Sequence, residues 1–246
     1  MQDGGKGQPG VFRPDYPAGL LRRLEALGVG VRGQRVLDAG SGAGRLARES
    51  ARRGCRVTAL AGSEEERAAI RRHATRENLV FDMVRGGPAD VAGPFDVVAC
   101  GEGGDPAAAA AEAPRLLAPG GVLAACRMRW LPRSDVVACT MEELILKFRG
   151  ALEGADFTGE VEPLPPWAPE GWSLRGFFVF DERPAFGREA LRGYASGVCG
   201  ALPAGEAAAY DGELDRILDV LLASGEVVVR HRVWAHIFGE SERTGL

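Results

Sequence analysis

Two short stretches carry residues whose types and spacing could do chemistry. In the first, Val36-Leu37-Asp38-Ala39-Gly40-Ser41-Gly42-Ala43-Gly44-Arg45, an apolar run ends in a carboxylate and turns through three closely spaced glycines. A turn of that kind between a strand and a helix brings backbone N–H groups and a helix N-terminus up to a ligand. A Cβ at Gly40 or Gly42 would hold the ligand away or forbid the backbone angle. Asp38, Gly40, Ser41, Gly42 and Gly44 are therefore expected to bind a cofactor. In the second stretch, Glu102 and Asp105 follow the apolar run Phe95 to Cys100. A partly buried carboxylate there would have a raised pKa and could serve as a general base. Helix capping is the plainer reading of Asp105, and a solvated loop position that of Glu102.

These residues need elements to position them. Leu20, Leu21, Leu24 and Leu27 fall at helical spacing, which predicts a helix over Pro17 to Leu27. Strands are expected at Arg35–Leu37, Cys55–Leu60, Val80–Val84, Phe95–Cys100 and Val122–Met128, with helices at Arg45–Arg53, from Ser63, and from Asp105-Pro106 to Ala113. Pro114 should break or kink that last helix. Strand alternating with helix at this cadence predicts an α/β fold, a doubly wound parallel sheet. After Trp130 the pattern changes to a helix over Ser134–Leu152 and a Pro- and Trp-rich loop over Glu162–Trp172. A strand at Gly176–Phe180, helices at Gly187–Tyr194 and Gly205–Ala223, and a final strand at Glu226–Phe238 complete the chain. The last two strands are expected to pair antiparallel.

Composition narrows the function classes. The chain of 246 residues has room for one α/β domain with a substantial core, and its formal charge of -4 argues against a nucleic-acid partner. Lysine occurs only at Lys6 and Lys147, and with abundant alanine and glycine this reads as a GC-rich coding bias of the actinobacterial type. Cys55, Cys100, Cys126, Cys139 and Cys199 have no CxxC spacing and mostly lie in apolar runs, as expected of reduced thiols in a cytoplasmic protein. No leader and no membrane-length apolar run is visible, so no membrane partner is expected. Residues 1–12 read as a flexible tail and 13–246 as a single domain, within which 129–172 would cap the substrate. His231 and His236 are five apart on an expected strand and face opposite ways, so no metal site is expected. Tyr16, Trp130 and Trp167 are candidates for lining a small-molecule substrate, or else for the core.

With those residues in place, the chain resembles the class I S-adenosylmethionine-dependent methyltransferases along nearly all its length, and within them the trans-aconitate methyltransferase-like type. The resemblance is carried by Phe12-Arg13-Pro14-Asp15-Tyr16-Pro17, by Val36 to Gly44, by Gly87-Pro88-Ala89-Asp90, by Leu116-Leu117-Ala118-Pro119-Gly120-Gly121 and by Phe177 to Phe238. It implies a Rossmann-like, seven-stranded, mostly parallel sheet with an antiparallel last strand. It also implies S-adenosylmethionine as cofactor, with Ala89 and Asp90 along the adenine and Ser63 beside the ribose.

Two positions depart from that family. Ala61 stands where the second strand should end in an acid that accepts from the ribose hydroxyls. Glu102-Gly103-Gly104-Asp105 stands where the family has His-Trp-Phe-Asp. Losing hydrogen bonds to a charged acceptor costs roughly 1.5–3 kcal/mol each, so cofactor binding is expected to be weak or absent unless Glu64 or Glu65 folds back. Three functions fit. The first is an enzyme of small-molecule, natural-product biosynthesis repurposed for S-adenosylmethionine-independent ring closure, with Glu102 or Asp105 as base. The second is an ordinary S-adenosylmethionine-dependent small-molecule methyltransferase. The third is a non-catalytic partner of a homologous methyltransferase-like subunit; a homodimer is also compatible with the sequence.

Overall fold

The computed structural model describes residues 14–241 apart from 153 and 156. The expected flexible tail, and Phe12 and Arg13 of the opening segment, lie outside the described residues. Helix α1 (Ala18–Ala26) precedes a regular alternation of strand and helix: β1 (Arg35–Asp38), α2 (Arg45–Arg52), β2 (Arg56–Ala61), α3 (Glu64–Arg76), β3 (Asp82–Arg85), β4 (Phe95–Cys100), α4 (Pro106–Leu116) and β5 (Leu117–Trp130). Then follow α5 (Val136–Arg149), β6 (Trp172–Glu182), β7 (Ala185–Phe186), α6 (Arg188–Cys199), α7 (Ala204–Leu221), β8 (Val227–Val228) and β9 (His231–Glu240).

Seven strands form one sheet in the order β3-β2-β1-β4-β5-β9-β6. β1 to β5 run parallel, whereas β9 pairs antiparallel with both β5 and β6. This is the doubly wound sheet with an antiparallel last strand that the sequence implied, with β7 and β8 added as a small separate ribbon. Because β1 and β4 are covered on both faces, they read as nearly unbroken apolar runs. Asp96 interrupts β4 at its start, where it accepts from the Arg35 backbone N–H at 2.7 Å and from the Arg35 guanidinium at 3.1 Å.

Side-chain alternation divides the core between the two faces. Val36, Val97, Ala124, Cys126, Val233 and Ile237 pack with α1 and α2 on one face, while Leu37, Val98 and Leu123 pack with α4 on the other. A further apolar cluster joins α5, α6 and α7 around Met141, Leu191 and Leu214. It stands over the carboxyl edge of the sheet, since Trp130 at the end of β5 belongs to it. These three helices are the cap.

Pro114 does not break α4, which continues to Leu116. Lying three positions from the helix end, the proline removes one bond from the closing turn rather than splitting the helix. Strand β5 is longer than expected at both ends: Leu117 pairs with Phe95 of β4 at its start, and β9 supplies a partner through Trp130 at its end. The stretch 129–172, expected to cap the substrate, packs in two places. Helix α5 belongs to the cap, but the loop after it brings Trp167 against His236 and Phe238 on the opposite face of β9 from His231. Cys100, Cys126 and Cys199 are buried, Cys55 and Cys139 are partly exposed, and all five are free thiols.

Candidate functional site

The glycine turn builds the site's floor. Gly40, Gly42 and Gly44 have φ of 92°, 52° and 75°, a left-handed region that an L side chain avoids. Space is as restrictive as conformation: a Cβ on Gly40 would lie 2.3 Å from the Gly104 Cα, and one on Gly44 3.1 Å from Ile70. The loops after β1 and β4 therefore meet backbone to backbone. The Ser41 amide donates to the Leu60 carbonyl and the Gly44 amide to the Ser41 carbonyl. The Gly44 amide, one of those expected to face a cofactor, is thus paired within the turn.

Asp38 lies beneath this turn with 1% of its surface exposed. One carboxylate oxygen, Oδ2, accepts from the Ala47 N–H at 2.9 Å in the first turn of α2, while the Ser41 hydroxyl donates to the Asp38 carbonyl. The other oxygen, Oδ1, is buried without a hydrogen-bond partner. Burial raises the carboxyl to about 6, although the Ser41 and Ala47 hydrogen bonds and the charges of Arg45 and Arg48 pull it down. A buried carboxylate oxygen of this kind is suited to a cationic or N–H-bearing group.

Glu102 is held firmly. Its Oε2 accepts from Arg45 at 2.9 Å and its Oε1 from the Met128 backbone N–H at 2.7 Å, with 6% of its side chain exposed. The Glu102 N–H donates to the Tyr16 hydroxyl at 3.2 Å, and that hydroxyl donates to the Cys126 carbonyl at 3.4 Å. Arg45 lies over the Tyr16 ring at 4.6 Å and also donates to the Pro14 carbonyl. Tyr16 and Glu102 therefore tie the chain's opening segment to the ends of β4 and β5. Breaking such a buried pair from one side costs about 3–5 kcal/mol. Asp105 is exposed and caps α4 by accepting from the Ala107 N–H at 2.8 Å. Of its two expected roles, capping is the one the geometry displays.

Arg127 secures the same loop from the opposite side of β5. Its guanidinium donates to the carbonyls of Cys100, Gly101, Cys126 and Gly104 at 2.7–3.1 Å.

At the end of β2, Ala61 is fully buried and offers no acceptor. The carboxylate that reaches the Gly62 N–H is not one of the two expected, and Glu65 turns back only to its own N–H and the Ser63 hydroxyl. That carboxylate is Glu66, whose Oε2 accepts from the Gly62 N–H at 2.6 Å, while Ser63 caps α3 by accepting from the Glu66 N–H at 3.2 Å. Five residues past β3, Asp90 accepts from the Gly87 N–H at 2.7 Å and so closes the turn that presents Ala89. Both Ala89 and Asp90 are exposed at the sheet edge.

The aromatic candidates separate. Trp130 is buried in the cap, tilted against Tyr194 at 5.0 Å between centroids, and its indole N–H donates to Glu142 at 3.3 Å. Trp167 is on the other face of the sheet and does not join Tyr16 and Trp130. Among the described residues no group of three or more His, Cys, Asp or Glu is placed to hold a metal. No helix among them is long and apolar enough to cross a membrane.

Sequence reasoning missed Arg45, Arg127 and Glu66. Two of these had a local signal. Arg45 directly follows the last glycine of the turn, and Ser63-x-x-Glu66 is a capping-box spacing. Arg127 shares its strand with Arg129, and its sequence neighbours do not say what it faces.

Comparison with known proteins agrees with this architecture. Residues 36–121 match a methyltransferase domain family. The chain is 36% identical to a ubiquinone biosynthesis O-methyltransferase of Psychrobacter cryohalolentis over 146 residues, 54% of this chain and 57% of that protein, so it spans little more than half of that relative's length. It is 31% identical to the Sodalis glossinidius protein of the same name over 175 residues, 63% of this chain and 70% of that protein. In fold it is similar to S-adenosylmethionine-dependent methyltransferases of Thiobacillus denitrificans and Geobacter sulfurreducens, each solved with S-adenosyl-L-homocysteine. Their TM-scores are both 0.52, with 17% and 18% identity and 94% of both chains covered in each case. The glycine turn, the strand order and these similarities agree: the chain belongs to the class I S-adenosylmethionine-dependent methyltransferase superfamily.

Proposed function

We propose that this protein transfers a methyl group from S-adenosylmethionine to a small-molecule acceptor. The observation that carries the reading is Asp38 Oδ1, a buried carboxylate oxygen without a donor, beneath a glycine turn too tight for side chains. The cofactor bears an ammonium group, which is the kind of partner that oxygen lacks. The residues present fit it. The glycine turn would cradle its methionine portion, Asp38 would take its positive charge, and the Glu66 carboxylate supplies an acceptor at the end of β2 in place of Ala61. Bound there, S-adenosylmethionine supplies an electrophilic methyl group for in-line displacement.

The chain's own residues keep that site fixed. Glu102, Arg45 and Tyr16 lock the opening segment over it, and Arg127 holds the β4–α4 loop against the glycine turn. Weak or absent cofactor binding was expected from Ala61, and Glu66 weakens the ground for it. The donor-independent ring closure expected from the sequence loses its support too, because Glu102 is neutralised by Arg45 and Asp105 caps a helix. The family similarities likewise favour methyl transfer over ring closure. The formal charge of -4 favours a small molecule over a nucleic acid as acceptor.

Isothermal calorimetry tests the reading. S-adenosylmethionine and S-adenosylhomocysteine should bind with Kd on the order of micromolar, and Glu66→Ala should weaken both about tenfold. Failure of the intact protein to bind either compound overturns the proposal.

A further inference from the structure

Helices α5 and α7 lie side by side and antiparallel on the outside of the cap. Lys147 of α5 pairs with Glu213 of α7 at 2.7 Å, and Phe148 meets Tyr210 edge-on with centroids 5.5 Å apart. Nearer the start of α5, Thr140 faces the closing turns of α7 across a groove of about 430 Å³. Ile217, Val220 and Leu221 give that groove an apolar wall, and Glu213 and Arg216 also line it. Val136, Thr140, Glu143 and Lys147 follow one another at helical spacing and form the facing stripe of α5.

Two features of this face are unmatched within one chain. The first is apolar: Val136 is 74% exposed and Val220 77%. Exposed apolar side chains rimmed by polar ones are the usual make-up of a protein-binding surface. The second is electrostatic. On α7, Asp211, Glu213, Asp215 and Asp219 each have a cationic partner. Arg216 has none among the described residues, and Glu143 of α5 accepts only from the Cys139 thiol, at 3.6 Å. Nor do the two meet each other. The Arg216 guanidinium turns back along α7, to 3.9 Å from where a Cβ on Gly212 would lie.

Antiparallel packing nevertheless sets Glu143 level with Arg216, since each is one turn along its own helix from the Lys147–Glu213 pair. The face is therefore self-complementary. A two-fold axis along the groove lays α7 of one copy over α5 of the other, and every contact then occurs twice. Arg216 meets Glu143 of the other copy, and Val220 covers the Val136–Thr140 end of its α5. A foreign partner would have to supply one group of each sign at matching spacing, whereas a second copy has both by symmetry. From this geometry we infer that the α5–α7 face is a homodimer interface, with a second copy of this chain seated across the groove. The inference concerns the outside of the cap and does not depend on the methyl-transfer reading.

Sedimentation equilibrium on the full chain tests it. The unmodified protein should be a dimer at concentrations on the order of 50 μM. Val220→Asp should leave a monomer. Arg216→Glu and Glu143→Arg should each weaken association at least about tenfold, because each sets like charges against one another. The double variant restores the pair with its signs exchanged and should dimerise as the unmodified protein does. The inference is overturned by a monomer at that concentration or by a dimer that Val220→Asp leaves intact. Charge reversals without effect, or not cancelled in the double variant, overturn it as well. Should circular dichroism show Val220→Asp unfolded, the charge exchange decides alone. A monomer whose groove binds decanoate assigns the face to a small amphiphile instead.

Discussion

Asp38 illustrates what a single residue contributes. Its carboxyl sits at about 6 when folded, above the ordinary 3.8, because burial disfavours the charged form. The folded state therefore binds this proton more tightly than the unfolded chain. Asp38 contributes most to stability below pH 4, and that contribution is lost as pH rises through 6. Asp38→Asn keeps an acceptor for the Ala47 N–H but does not titrate. Urea unfolding should show the variant gaining up to about 3 kcal/mol on the unmodified protein between pH 4 and pH 7. A constant difference across that range would remove the assigned shift. Since a cation on Oδ1 favours the ionised form, cofactor affinity should also rise as pH passes through about 6. The sequence named Asp38 correctly as the carboxylate beneath the turn, but its unpartnered oxygen depends on what β4 and α2 leave around it.

At the scale of elements, the glycine turn and the β4–α4 loop form one unit. In sequence they are two separate motifs, and Gly103-Gly104 reads as the loss of two bulky residues. In the structure a Cβ on Gly104 would come 2.1 Å from the Ala39 carbonyl oxygen. Glycine there is a steric requirement of the close approach, at least as much as a lost ring. Gly40→Ala combines the same collision with a φ of 92°. It should lower stability by roughly 2–4 kcal/mol in thermal unfolding and abolish calorimetric cofactor binding. An alanine variant with unchanged melting temperature would show that the loops do not touch. The capping residues were legible here, because Ser63 and Asp105 act through neighbours two or three positions away. Pro114 misled because its effect depends on distance from the helix end, which the sequence places only loosely.

For the whole molecule, the cap and the sheet are two masses with separate apolar clusters. Leu214 in α7 is fully buried in the cap cluster. Leu214→Ala should cost about 2–5 kcal/mol in chemical denaturation through the cavity it leaves. If the cap packs as described, hydrogen exchange should quicken across α5, α6 and α7 more than in β1 and β4. Equal loosening of the central strands would argue against a separate cap core. Periodicity predicted each of these helices, but not that α5 would stand with α6 and α7 while the loop carrying Trp167 crosses to the other face.

By itself the sequence determined the doubly wound sheet, its antiparallel final strand, the glycine turn and the residues that cap helices. The strands, the turn and the caps follow from hydrophobic spacing and from interactions within a few positions along the chain, and the antiparallel final strand is what the family resemblance implied. Only the tertiary structure decided that Glu102 is paired with Arg45, that Glu66 rather than Glu64 or Glu65 reaches the Gly62 N–H, and that Trp130 and Trp167 part company. Each of the three depends on which side chains the fold brings together. Desolvation and charge pairing are properties of such neighbourhoods, and a linear pattern records only a residue's type and place in line.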